Sequence, residues 1–113
     1  MNFKCLVACV LIHCFCVFKS TAQINLFRVE YGQLLKEIVI DDQVDYSHCK
    51  ENMPLIDSVF SLGMTNVGNA VESNDIAHLI NVYNLGVIKS IASHYPVQSP
   101  NDIPQFFDDP WLD

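Results

Sequence analysis

Between residues 41 and 50 the chain gathers most of the side-chain types that do chemistry: Asp41, Asp42, Asp45, His48 and Cys49, followed by Lys50. Carboxylate, imidazole and thiolate are all ligands for Zn²⁺. On a helix, the step from Asp41 to Asp45, His48 and Cys49 would bring all four near one face. The segment carries no strong helical periodicity, however. The set therefore reads as surface acidity beside an unrelated thiol, and no metal or cofactor is expected. As a nucleophile, Cys49 would need a base and an orienting group beside it. His48 is adjacent in sequence, which does not place its ring on the sulfur. His78 projects opposite the apolar stripe of its helix and reads as solvated. His94 falls where that helix ends, a position at which a cation suits the helix dipole. Nothing assembles a dyad, so no catalytic residue is expected.

Two short motifs resemble known ones. Asp41-Asp42-Gln43-Val44-Asp45 resembles the D-D-x-x-D pattern of prenyl-diphosphate enzymes, where clustered carboxylates hold Mg²⁺ against a pyrophosphate. The resemblance covers five residues, and those enzymes also need a large helical cavity and a second acidic motif. The pattern reads instead as an acidic, solvated connector. Asp109-Pro110-Trp111 resembles acidic peptides that bind clathrin-adaptor appendages, over three residues only. The paired-cysteine framework of odorant-binding proteins is absent, and one mid-chain cysteine does not match the secretoglobin pattern. No family is assigned.

The N-terminus indicates where the protein works. Lys4 supplies a positive start, Cys5 to Phe18 is an apolar run broken only by His13, and Ser20-Thr21-Ala22 offers small residues. That order reads as a secretory signal peptide over residues 1–22, cut after Ala22. The apolar run is shorter than the roughly 20 residues of a membrane span. Cleavage removes Cys5, Cys9, Cys14 and Cys16 and leaves Cys49 as the single thiol. No internal disulfide is then available. The mature chain would have 91 of the 113 residues, with four Lys and Arg against 13 Asp and Glu, a formal charge of −9. Such acidity disfavours nucleic acid, which needs clustered cations, and anionic membrane surfaces.

Three segments must position whatever site exists. Phe27, Tyr31, Leu34 and Ile38, with Ile24 and Leu35, form one face of a helix over about 24–40. Ile38 to Ile40 is the sole strand-like run, and no partner for it is apparent. Asn52 and Pro54 begin a second helix over about 53–72, with Ile56, Val59, Phe60, Gly63, Val67, Ala70 and Val71 on one face and a possible break at Gly63 or Gly68. Ser73-Asn74-Asp75, a short turn with N-cap chemistry, precedes a third over about 75–94, whose stripe is Ile76, Leu79, Ile80, Tyr83, Val87 and Ile91. Pro96 ends it, because the residue before a proline avoids helical geometry.

The expected fold is therefore all-α: a small bundle of about three amphipathic helices in one domain, residues 23–95, with an extended Pro-rich tail over 96–113. The tail aromatics Phe106, Phe107 and Trp111 either fold back over the bundle, which is preferred, or are displayed to a partner. Cys49 either bonds a second chain, giving a homodimer or a mixed disulfide, or lies buried and inert; its polar connector suggests exposure and so the first. The functional expectation is a secreted, extracellular, non-catalytic protein that binds a protein partner. The alternative is an extracellular carrier of a small apolar ligand in a cavity between helices. An enzyme is a distant third.

Overall fold

A computed structural model describes the backbone of residues 3–106 and the side chains of residues 21–106. The chain is mostly helical, in the order α1 (Phe3–Ile38), β1 (Val39–Ile40), β2 (Gln43–Val44), α2 (Tyr46–Glu51), α3 (Met53–Thr65), α4 (Val67–Glu72) and α5 (Ile76–Ser93). A 3-10 turn over Pro100–Asp102 follows.

The first helix is continuous from Phe3, so the 24–40 segment is the C-terminal half of a longer rod. The expected face is the buried one: Ile24, Phe27, Tyr31, Leu34 and Ile38 all point inward. The helix stops at Ile38 because the next residues pair as a strand. Val39 lies opposite Val44 and Ile40 opposite Gln43 in a two-stranded antiparallel hairpin. The strand-like run thus has a partner, contrary to the sequence reading. Asp41 and Asp42 form its turn, with φ of 50° and 63°. Left-handed geometry at both central residues matches the right-handed twist of a hairpin, and Asp tolerates it better than most residues.

The connector between hairpin and second helix is itself helical, which the sequence pattern does not indicate. Asp45 caps α2 by accepting the His48 backbone N–H at 3.0 Å. Asn52 ends α2, its side-chain Nδ2 donating to the His48 carbonyl at 2.9 Å. α3 begins immediately afterwards with Pro54 in its first turn. There Pro lacks only an N–H that has no helical partner.

The expected 53–72 helix is two helices, and the break is at neither glycine. It falls at Asn66, whose N–H bonds the Gly63 carbonyl at 3.2 Å. The Asn66 side chain bonds the Leu62 carbonyl at 2.9 Å, so an amide that competes for backbone partners interrupts the ladder. Ile56, Val59, Phe60, Gly63 and Ala70 are buried as expected, but Val71 is exposed.

Gly63 sets the spacing of the bundle. A Cβ placed there would lie 2.7 Å from Phe27 Cε2 on α1 and 2.8 Å from Val82 Cγ2 on α5. Three helices meet at a position that admits no side chain. Around it, Phe27, Tyr31, Leu34, Ile38, Ile56, Val59, Phe60, Val82, Leu85, Ile88 and Ala92 form one core. Two ion pairs tie the helices outside it: Arg28 to Asp75 at 3.9 Å and Lys89 to Asp57 at 3.3 Å. Lys89 also lies over the Phe60 ring, 4.9 Å from its centroid.

A matched pair of substitutions tests the close approach. Gly32 lies inside α1, and a Cβ there would meet nothing within 4 Å. Gly32→Ala should stabilise the domain by about 0.5–1 kcal/mol through helix propensity. Gly63→Ala should instead lose about 1–2 kcal/mol, because overpacking a rigid ring and a branched methyl outweighs the same propensity gain. Urea denaturation of both proteins checks the sign of each.

Candidate docking site

The sequence-based candidates are largely occupied with local structure. Asp41 and Asp42 form the hairpin turn and are exposed. The Asp45 carboxylate caps α2. His48 directs Nε2 toward Asn52 Nδ2, 3.5 Å away. Among the described residues, no three His, Cys, Asp or Glu side chains converge to hold a metal ion.

The expected exposure of Cys49 is corrected. It faces the core from α2 with 0% of its surface accessible. Burial, reinforced by the Asp45 charge, pushes its thiol up to about 11 from an ordinary value near 9. A buried, protonated thiol is a poor nucleophile. A bond to a second chain at Cys49 would first require α2 to lift from the core. Lys50, next to it, donates through Nζ to the Tyr95 carbonyl and so ties α2 to the chain after α5.

The tail is not extended between residues 99 and 106. Ser99 accepts the Asn101 N–H at 3.2 Å, and the 3-10 turn with the turn after it buries Ile103 and Phe106. Phe106 thus packs against its own chain. Phe107 and Trp111 lie outside the described residues.

The largest correction concerns α5. Its buried residues are His78, Val82, Leu85, Gly86, Ile88, Ser90 and Ala92. His78, expected in solvent, is 2% exposed. Its ring stands edge-on to Phe27 with centroids 4.9 Å apart, and its Nε2 lies 2.9 Å from the Gly63 carbonyl. A carbonyl only accepts, so Nε2 carries the proton. His78 Nδ1, Asn66 Oδ1 and Ser90 Oγ are buried with no hydrogen-bond partner among the described atoms.

Correspondingly, the stripe expected in the core faces outward. Ile76, Ile80 and Tyr83 are 58%, 53% and 57% exposed, while Leu79, Val87 and Ile91 are half-buried. At 3.6 residues per turn, Ile76, Ile80, Tyr83 and Val87 stand on the side of α5 opposite His78, Val82 and Leu85. α5 is thus apolar on two faces: the described residues bury the inner one and leave Ile76, Ile80 and Tyr83 of the outer one exposed. Hydrophobic periodicity finds the outer stripe. It misses the inner one because several of its members are small or polar: His78, Gly86 and Ala92. An exposed, contiguous apolar strip is the usual mark of a docking surface.

Among the described residues no helix is long and apolar enough to cross a membrane. Comparison with family models, with curated proteins and with solved structures gives no match.

Two measurements discriminate the faces and test the thiol. His78→Ala should destabilise the domain by about 2–4 kcal/mol, as truncation in a packed core does. Ile80→Ala should stay within about 0.5 kcal/mol of the parent, as exposed positions do. On the alkaline side, the Cys49 thiol binds its proton more tightly folded than unfolded. Its contribution is complete below an unfolded value near 9 and is lost as pH rises toward about 11. Burial raises Tyr31 and Tyr46 too, so they act in the same direction. Urea midpoints should fall across that window, less steeply in Cys49→Ala, and alkylation of Cys49 should wait for unfolding.

Proposed function

We propose that the chain is a small secreted helical protein that acts by binding a protein partner and not by chemistry. The observation that supports this reading is the outer face of α5. Ile76, Ile80 and Tyr83 each leave more than half their surface in solvent on one stripe of one helix. Keeping such a strip exposed opposes solubility, and occupation by a partner removes that disadvantage. The tertiary fold also gives the strip a rigid backing. The opposite side of the same helix is locked to α1 and α3 at Gly63, so docking requires little ordering of the surface.

Secretion rests on the sequence alone: the charged start, the short apolar run and the small residues before the cut. Cleavage after Ala22 would fall within the continuous α1 and leave residues 23–38 as its remaining helical length. The core residues of α1, from Ile24 to Ile38, are all retained.

Two measurements test the proposal. N-terminal sequencing of protein from the medium of expressing cells should begin at Gln23. Retention of Met1 in a membrane fraction would overturn secretion. A photo-crosslinking residue at Ile80 or Tyr83 should give a discrete protein adduct in that medium, while the same residue at exposed Ser58 on α3 should not. Absence of an adduct at both outer-stripe positions would overturn the binding reading.

A further inference from the structure

We propose that Gln23 is a modification site. Once the chain is cut after Ala22, the Gln23 α-amino group closes on its own side-chain amide to give an N-terminal pyroglutamate, which removes a positive charge from the start of α1. The proposal rests on the cleavage named above and goes beyond it to the chemistry of the new terminus.

In the uncut chain this reaction is closed. The Gln23 nitrogen is then acylated by Ala22 and lies inside α1, which runs unbroken from Phe3 to Ile38. Cleavage frees it as a primary amine. An ordinary α-amino group titrates near about pH 8, so free base is present at neutral pH. The step balances within one residue. The lone pair of the amine attacks Cδ, the N–Cδ bond forms and the Cδ–Nε2 bond breaks. Nε2 leaves as ammonia, taking a proton from the amine, and nothing is oxidised or reduced. The product is a five-membered lactam. Asn, one methylene shorter, would have to close a strained four-membered ring.

The fold leaves the residue able to react. Thr21 and Ala22 are exposed and Gln23 is half-buried, whereas Ile24 is inside the core. Packing therefore fixes α1 from Ile24 onward and leaves the residue before it at the surface. The ring contains only the nitrogen, Cα, Cβ, Cγ and Cδ of Gln23. Its backbone carbonyl stays outside, so closure leaves the helix beyond it in place.

The electrostatics of α1 favour the product. A helix N-terminus is the positive end of the macrodipole and disfavours a cation. The cut also deprives the N–H groups of Gln23, Ile24, Asn25 and Leu26 of the helical acceptors that precede them. A carboxylate in the first turn would offset the ammonium, but the first after the cut is Glu30. The nearest charged side chain along the helix is Arg28, which is also positive and is already paired with Asp75. The lactam nitrogen carries no charge, so cyclisation removes the disfavoured cation.

The test uses the full chain as cells process it. A lactam has no amine for Edman chemistry, so the terminus is read by mass spectrometry. Amines of the secreted protein are first dimethylated with an isotopic reagent, which also prevents any later ring closure. Tryptic cleavage at Arg28, the single arginine, then releases Gln23–Arg28. That fragment should lack the tag and weigh about 17 Da less than the open sequence, the mass of ammonia. Gln23→Asn should carry the tag on its first residue. A tagged Gln23 terminus overturns the proposal and leaves the cleavage reading standing. A Met1–Arg28 fragment, or any start other than residue 23, removes both. For the charge, a chain refolded with Gln23 still open should have a urea midpoint about 0.1–0.5 M below the lactam form at pH 6. Equal midpoints overturn the electrostatic role of the lactam.

Discussion

The bundle depends on one missing side chain. At Gly63 the rings and methyls of α1 and α5 come so close to α3 that a Cβ would sit 2.7 Å from Phe27 and 2.8 Å from Val82. Interiors are packed to the density of organic crystals, so such a contact cannot be absorbed without movement of a helix. The same residue supplies a second constraint through its carbonyl, which accepts from the Asn66 backbone at 3.2 Å and from His78 Nε2 at 2.9 Å. Packing and hydrogen bonding thus coincide at the end of α3. One locates the neighbouring helices, and the other fixes the rotation of α5 and the break before α4.

That rotation accounts for the unusual division of α5. Its more hydrophobic stripe, with Ile76, Ile80 and Tyr83, is outside. The stripe inside contains His78, Gly86 and Ala92. Transfer free energy alone favours burying the branched and aromatic residues. Close approach favours the small ones, because they let α5 reach Val82 onto Gly63 and bring an imidazole N–H to a carbonyl otherwise shared with one donor. The result leaves buried polar atoms at His78 Nδ1 and Asn66 Oδ1 without protein partners among the described residues, which normally disfavours a fold.

The acidic connector illustrates how chemically capable residues serve conformation. Asp41 and Asp42 adopt left-handed geometry in a hairpin turn, Asp45 caps α2, and Cys49 fills the core beneath that helix. Each has a physical role in bringing the chain from α1 to α3 over a short distance. The hairpin reverses direction, the cap starts α2 at once, and Asn52 passes the chain directly into α3.

The sequence by itself determined the all-α class, the face of α1 and the inward side of α3, because there large apolar residues recur at helical spacing without a rival. It also determined a capping turn over residues 73–75 and the end of α5 before Pro96, which follow from local chemistry; Asp75 is the residue that caps. The tertiary structure decided the rest. The hairpin was not legible because a two-residue strand has meaning only when its partner is known. The break at Asn66 was not legible because glycine is the stronger breaker in isolation, whereas a buried amide that bonds nearby carbonyls wins in context. The rotation of α5 was least legible of all. Hydrophobic periodicity reports which faces of a helix are apolar, but with two such faces only the shape of the neighbouring helices chooses between them, and that shape is set by an atom Gly63 does not have.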